Sequence, residues 1–571
     1  MACMAYFSIC ISKVIQTYHP ISWLLLFGLI ILFNNVNIFN KKYKKDIVIL
    51  SILFSFLLTY GESAYSIMNS KDISIFSALF SVKSFFSLIG TFNLIYLLLT
   101  YIFPKLVSYK MKNKQSIIKK KWIIFIISFL VIITCWLPYF LSYYPGILSP
   151  DSLSELGTVI NNFTTISDHH PVLHILFIAI PYNIGKSIFG TVTMGVALST
   201  ILQMSIMSLI FSSFIVFLYN RKVNDFILLI VLLFYALMPM HGYYSITMWK
   251  DVIFGGLLLL LTMETIKVIE KANSDSINIK SIISFIIVSL LCIFFRNNAI
   301  YMYILLAIFT IFMFKKYYKT FIISFLIVFG TYFIVKGPIF DYFNVEKSSS
   351  AEYIGMPLQQ VGRMAFKNIE FNKNEKKLID ELIPLETLST TYNPVTSDGI
   401  KFNKEYNVTA FDSNKSDYFK LWLNLVIKHP DIAIEAYTIS TLGYWYPGVQ
   451  YWSVSTVIEE NNFNLHMYPK IPDYIRAIFP KLESREMPIF NIQWSIGFCF
   501  WTLLIFGIVA FKKNKWNALY PYIPIFGIWL TMMIASPVFG EFRYVYGAFT
   551  CLPLLMLCPF FKLKKIINKT N

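Results

Sequence analysis

Charge is scarce in this chain. Only 14% of its 571 residues are Asp, Glu, Lys or Arg, against 56% hydrophobic residues, and mean hydropathy is +0.61. A water-soluble fold could not hide that much apolar surface, so a soluble enzyme is excluded. Cysteine is sparse and scattered. Cys3, Cys10, Cys135, Cys292, Cys499, Cys551 and Cys558 show no C-x-x-C spacing and lie mostly in apolar runs, which argues against a disulfide framework or a cysteine zinc site. There is no Walker A sequence, no G-x-S-x-G, no G-x-G-x-x-G and no H-E-x-x-H. Phosphate-loop nucleotide binding, nucleophile-elbow hydrolysis, dinucleotide chemistry and zincin-type proteolysis therefore have no motif to rest on. The first fifteen residues lack a basic start followed by a small-residue cleavage site, so no cleavable leader is expected.

What is present is a series of apolar runs of membrane-crossing length. Spans are expected at 21–39, 47–65, 82–103, 122–143, 193–218, 225–240, 252–270, 281–296, 299–314, 319–336, 492–511, 518–535 and 543–561. The net charge of +18 comes from short basic clusters between these runs, such as KKYKK at 41–45, NRKVN at 220–224, FKKNK at 511–515 and KLKKIINK at 562–569. That is the positive-inside pattern, not a nucleic-acid surface. With all basic clusters cytoplasmic, thirteen spans alternate with the N-terminus outside and the C-terminus inside. The run at 171–190 would break this alternation as a full span and carries Pro181, Gly185 and Lys186, so it reads as an interfacial or re-entrant helix. The expectation is an all-α polytopic membrane protein: N-terminal spans over 1–121, a core over 122–336 with a first outer loop at 144–192, an extracytoplasmic and mainly helical insert over 337–491, and C-terminal spans over 492–571.

The unusual polar chemistry falls on one expected face. SPDSLSELGTVINNFTTISDHHPVLH (149–174) packs three acids and three histidines between apolar runs. Asp151 reads either as a helix cap, a role Ser149 would fill as well, or as a carboxylate able to take a proton or hold a divalent cation. Glu155 falls on the same helical face and could simply be solvated. His170 and His174 are spaced i,i+4, so a helix could turn both to one metal ion with Asp168 or His169 completing the set. The alternative is capping and interface hydrogen bonding.

Lys250 and Asp251 in MWKD, Arg296 in FFRNN, and Glu541 and Arg543 in GEFRY stand at outer ends of different spans, against the charge rule. Basic groups there suit a lipid phosphate or pyrophosphate, unless each pairs with a nearby acid such as Asp251 or Glu541. PLQQVGRMAF (357–366) reads as an amphipathic helix, and GYWYPG (443–448) as an interface belt or a sugar-stacking surface. At mid-depth Glu264, with Lys267 a turn away, is the main ionisable group, which counts against ion-coupled transport.

An acid soon after a span, followed by a juxtamembrane HP-x-L helix, resembles the GT-C superfamily of membrane glycosyltransferases. A closer resemblance is to uncharacterised multi-spanning membrane proteins of Gram-positive bacteria, carried by YYPG, SPDS, DHHPVLH, WKD, PLQQVGR, KHP and GYWYP. It covers most of the chain from about residue 122 onward, on short motifs. Many GT-C members carry two acids where this chain has Asp151 and Ser152. The resemblance implies sugar transfer from a polyprenyl-phosphate-linked donor to an extracytoplasmic cell-envelope polymer, glycolipid or protein acceptor. In that reading Asp151 is the candidate base, with Asp168 and His170 supporting it. Lys250, Arg296 and Arg543 would bind phosphate, with Asp251 and Glu541 alongside. A divalent ion, magnesium or manganese, would fall to Asp151, Asp168, His170 and His174. Two rival readings stand beside it: a lipid-linked saccharide flippase or exporter, which needs a polar path through the bundle, and a non-catalytic envelope scaffold built around 337–491.

Overall fold

The computed structural model describes residues 1–11, 20–35, 42–111, 118–449, 451–483, 491–535 and 538–561. The basic cluster at 562–569 lies outside them. Helices dominate, and among the described residues β-structure is limited to isolated bridges. In chain order the main helices are α1 (Ala2–Ile11), α2 (Pro20–Asn35), α3 (Lys44–Ile67), α4 (Val82–Ser108), α5 (Lys121–Ser142), α6 (Pro150–Ile160), α7 (Val172–Phe189), α8 (Val192–Asn220), α9 (Asp225–Leu237), α10 (Pro239–Ile246), α11 (Lys250–Asn273), α12 (Ile279–Phe295), α13 (Ala299–Met313), α14 (Tyr318–Ile334), α15 (Gly355–Phe366), α16 (Lys415–Lys428), α17 (Pro430–Thr441), α18 (Ile496–Asn514), α19 (Ile523–Ala535) and α20 (Tyr546–Leu557). Apolar helices of this kind satisfy their own backbone inside a bilayer, which is why they are the spanning element.

Among the described residues nine helical stretches are long and apolar enough to cross a membrane, or ten if the bent pair α9–α10 counts as one span. Three shorter apolar helices lie in α2, α12 and α13. One of the nine, Ile496–Ala535, is a hairpin. Lys515 turns the chain at φ 61°, and Phe500 lies 6.0 Å from Phe526 and 5.8 Å from Trp529 between ring centroids. A straight helix would hold those residues roughly 40 Å apart.

The bundle has two chemically distinct ends. At the basic end the Tyr219 hydroxyl donates to the Lys119 carbonyl, Arg221 pairs with Glu270, Lys316 with Asp275 and Lys512 with Asp46, and Lys513 donates to the Val107 and Tyr109 carbonyls. At the opposite end lie the N-terminus of α11, the α12–α13 junction and the 538–545 segment, which carry the polar motifs.

The excursion between α5 and α8 begins and ends at one level. Gly146, at φ 146°, lies against Thr200, while Tyr219 reaches Lys119 at the other end. These two helices are therefore antiparallel along the bundle. The segment expected at 171–190, α7, is long and apolar enough to cross by itself. It pairs back on α8, with the Ser199 hydroxyl donating to the Ile178 carbonyl and Gly185 against Gly195. Its outward stripe, Leu176, Ile180, Ile184 and Ile188, is exposed and apolar.

The insert begins later than 337. A π turn at Val335–Ile339 carries the preceding helical stretch on to Tyr342. Beyond it, short helices pack on their own core, centred on Leu358, Ile379, Leu388, Ile400 and Phe411. The start of that core is pinned to the end of α3 by Arg363, fully buried on α15. Its guanidinium donates to Glu435 and to the carbonyls of Ile67, Met68 and Ser70. The extended stretch after α17 then returns to the bundle. Lys470 and Tyr468 donate through their backbone N–H groups to the Leu141 and Tyr144 carbonyls, and Glu459 to that of Leu148. On the other side the Gly443 N–H donates to the Phe539 carbonyl. A Cβ on Gly443 would lie 2.5 Å from the Gly540 Cα, so only glycine allows this crossing. The insert thus holds two of the backbone stretches that carry the polar residues, the start of the first loop and the 538–545 segment.

Candidate functional site

Ser149 settles what Asp151 is free to do. Its hydroxyl accepts from the Ser152 N–H, and the Ser152 hydroxyl accepts from the Ser149 N–H, a reciprocal cap on α6. With the cap supplied by serine, the Asp151 carboxylate turns to cations: Arg543 donates to it at 2.7 Å and Lys250 lies 3.7 Å away.

The backbone brings these residues together. Ile147 pairs with Ile246 and Met248, and the Ser152 hydroxyl donates to the Met248 carbonyl, which sets the start of α6 beside the start of α11. The Trp249 indole donates to Ser149 at 2.6 Å. Arg543 is presented by the segment held between Val395 and Gly443. Burial alone would raise the Asp151 carboxyl, but Lys250, Arg543 and His170 hold it well below the usual carboxylate range.

Behind Asp151 runs a second set of contacts. Lys250 lies 3.1 Å from His170 Nδ1. Glu155, read from sequence as open to solvation, is instead buried between two histidines, 2.5 Å from His174 Nδ1 and 3.5 Å from His170 Nδ1. Burial opposes its ionisation, yet His174, Lys250 and His170 keep the Glu155 carboxyl below its ordinary value. Burial and Lys250 push His170 down to about 4, so the ring is neutral at pH 7 and can accept from the Lys250 ammonium.

Three expected residues take different partners. Arg296 is buried with Asp251 at 2.6 Å, and it also donates to Asn298 and to the Tyr544 carbonyl. The acid-pairing alternative therefore describes Arg296 with Asp251 and also Arg543 with Glu541, while the cations bordering Asp151 are Lys250 and Arg543. Asp168 binds Lys336 at 2.5 Å, with Asn297 donating to its carbonyl. Glu541 lies 3.4 Å from Arg543 Nε. Its burial raises the carboxyl to about 7, with Asp251 and Asp151 adding to the effect against the pull of Arg543. Buried in the same cluster, Asp251 Oδ2 has no hydrogen-bond partner among the described residues, while Asp251 Oδ1 faces Arg296 and Glu541 Oε1 faces Arg543 Nε as ion pairs. Such unspent capacity is uncommon in an interior and marks a place to receive a polar group.

The four expected metal ligands do not converge. Asp151 faces two cations, Asp168 faces Lys336 and His174 faces Glu155, and among the described residues no three acids, histidines or cysteines form a ligand set. The arrangement does not fit a divalent ion held by Asp151, Asp168, His170 and His174.

Lys336 and Asn297 are the neighbours of Asp168, contacts between distant stretches that no local motif announces. A signal was available for Lys336 itself: a lysine at the end of a span opposite to the basic clusters, the feature that singled out Lys250.

The fold and the cluster define a class: a polytopic helical membrane protein with a partly buried ionic cluster at one end of its bundle. Within that class the chain belongs to DUF6020, a family of unknown function that matches residues 159–570, more than half of its length. That range contains Asp168, His170, His174, Lys250, Asp251, Arg296, Glu541 and Arg543, while Asp151 and Glu155 precede it. No curated protein and no solved structure matches the chain.

Proposed function

We propose that this protein is a GT-C-like glycosyltransferase that moves a sugar from a polyprenyl-phosphate-linked donor to an extracytoplasmic cell-envelope acceptor. The observation that carries the reading is Asp151 held between Lys250 and Arg543. A phosphate leaving group needs cations where its charge grows, and an attacking hydroxyl needs a nearby proton acceptor. Both needs meet in this one contact.

Asp151 is the candidate base. While both cations hold it, it is a weak proton acceptor. A donor phosphate that draws on Lys250 and Arg543 raises its basicity when the acceptor hydroxyl must be deprotonated. Glu541 adjusts how freely Arg543 meets that phosphate, because its neutral form competes less for the guanidinium. His170 and Glu155 steady Lys250 from behind. The paired groups Arg296–Asp251 and Lys336–Asp168 hold the α12–α13 junction and the first loop in place. No metal ion is needed in this scheme.

A membrane-embedded donor tail is supported by the apolar exterior beside the cluster. Gln203 on α8 binds the carbonyls of Tyr244, Ser245 and Thr247 just before Lys250, which marks the level of the cluster on that helix. From there to Val192, α8 continues for roughly 16 Å. Over that height its partner α7 exposes Ile180, Ile184 and Ile188. The charged residues thus lie at the foot of an apolar wall, suited to a phosphate head on a hydrocarbon tail. With the basic end cytoplasmic by the charge rule, the cluster faces outward, in a thirteen-span topology where α7 does not cross and α2, α12 and α13 do.

The test compares lipid-linked sugars and envelope glycans in cells carrying the wild type, Asp151→Asn or no protein. The reading expects the donor to accumulate and a glycan modification to vanish in both deficient strains. Identical glycans and donor pools in all three would overturn it.

A further inference from the structure

The insert carries an apolar surface that neither the bundle nor the ionic cluster uses. Helices α16 and α17 meet at His429–Pro430 and share an inward face, where Leu425, Ile432 and Ala433 pack on Met364. Their outward faces hold Phe419, Leu423 and Ile427 at successive i,i+4 positions, then Ile434 and Tyr437. These side chains are 45%, 51%, 68%, 46% and 37% exposed. Five large apolar residues on one continuous face are not a scatter of surface hydrophobes.

The height of this face on the molecule identifies its occupant. α17 is fixed to the last two turns of α3 and the loop beyond it. Glu435 receives the Ile75 N–H and binds Arg363, Thr438 is 2.8 Å from the Tyr60 hydroxyl, and Leu442 packs with Ala64 and Ile67. Tyr60 lies seven residues before the end of α3, about 10 Å inside that helix. Below it the outward side of α3 is apolar and exposed: Phe56, stacked on Tyr60, then Ile52 and Ile49. The lipid-facing exterior of the span therefore continues onto α17 and round to α16. Lys420 and Lys428 stand at the rim, paired with Asp417 and Glu375. An apolar stripe with lysines at its edge, held at the end of a span, is the pattern of a helix lying in a membrane interface.

We infer that the α16–α17 hairpin is a membrane-interface element whose outward face is buried in the lipid leaflet at the polar end of the bundle. The insert is then anchored to the bilayer beside the ionic cluster as well as to α3. This inference needs only that the bundle spans a membrane, and it stands whether or not the protein transfers sugars.

The test uses the full chain in nanodiscs of phosphatidylcholine and phosphatidylglycerol. A keto amino acid is introduced at Leu423 or Ile427 and nitroxide-labelled, which leaves the native cysteines untouched. Control labels go at Ile287, exposed on α12, and at Ser413 in the insert. Power saturation compares collisions with oxygen, concentrated in lipid, and with a water-soluble nickel chelate. The expected result is oxygen-dominated collision at 423 and 427, as at 287, with nickel-dominated collision at 413. Nickel-dominated collision at either 423 or 427 would overturn the inference. Hydrogen exchange of α15, unchanged from the wild type, certifies that each labelled protein keeps the insert folded.

Discussion

Arg363→Leu should loosen the insert from the bundle while leaving the spans intact. Arg363 and Glu435 are both essentially fully buried, and their ion pair is 2.7 Å long. Leucine would leave Glu435 with Lys367 at 2.8 Å and the Ile75 N–H as its remaining partners. It would also strip a donor from each of the carbonyls of Ile67, Met68 and Ser70. Removing one partner of a buried pair typically costs about 3–5 kcal/mol. With Lys367 still in place the lower end applies, about 3 kcal/mol, or roughly a 150-fold shift toward locally open states. Hydrogen exchange of the purified full-length protein reads this directly. Amides of Ile67–Ile75 and of α15 should exchange about a hundredfold faster, with α11 unchanged. Arg363→Leu/Glu435→Leu should recover little of the protection, because the three carbonyls stay without their donor while Lys367 and the Ile75 N–H also lose Glu435. Exchange within a few-fold of wild type in the single variant, or full recovery in the double, would refute the argument.

Glu541 gives a pH signature. Its carboxyl, raised to about 7, is neutral below that pH and charged above it, so apparent donor affinity should fall as pH rises through 7 in the wild type and stay flat in Glu541→Gln. A KM profile that bends equally in both would remove Glu541 from the site's titration. Glu155→Gln keeps the size of the side chain but removes the charge between His170 and His174, so donor KM should rise more than tenfold with the spans still folded; an unchanged KM would leave the pair a purely structural feature. For topology, a cysteine at Lys280 should resist an impermeant thiol reagent in intact cells while one at Ser413 reacts, and the reverse pattern would invert the whole assignment.

Much of the bundle could be read along the chain because apolar length and charge alternation are local signals. Among the described residues each expected span overlaps a helix or bent helix pair, though 36–39 of the first span lie outside them and α2, α12 and α13 are short for a crossing by themselves. The cluster was legible as residues but not as contacts. Lys250 and Arg543 stood out because cations oppose the charge rule at that end, yet nothing local said that both would meet Asp151, 99 and 392 residues away. Glu155 looked solvated because its burial depends on His174, brought over by the fold of the loop. Arg296 could be read as a phosphate binder or as an acid's partner, and the choice of Asp251 is made only once α11 and α12 pack. Arg363 looked like one polar residue in an amphipathic helix. Its partners, Glu435 and the 67–70 loop, are far away in sequence, and no periodicity marks them.

The most direct measurement of the central claim is sugar transfer from a radiolabelled polyprenyl-phosphate donor in membranes matched for protein level. It compares wild type with Asp151→Asn and Lys250→Met. Asn keeps the size of Asp151 and removes its charge, and loss of general-base help costs about two to four powers of ten in rate. The account predicts transfer by the wild type, a loss of that size in Asp151→Asn, and in Lys250→Met a weaker donor affinity together with slower turnover, since the phosphate contact acts in ground and transition states alike. Full transfer by Asp151→Asn would contradict it.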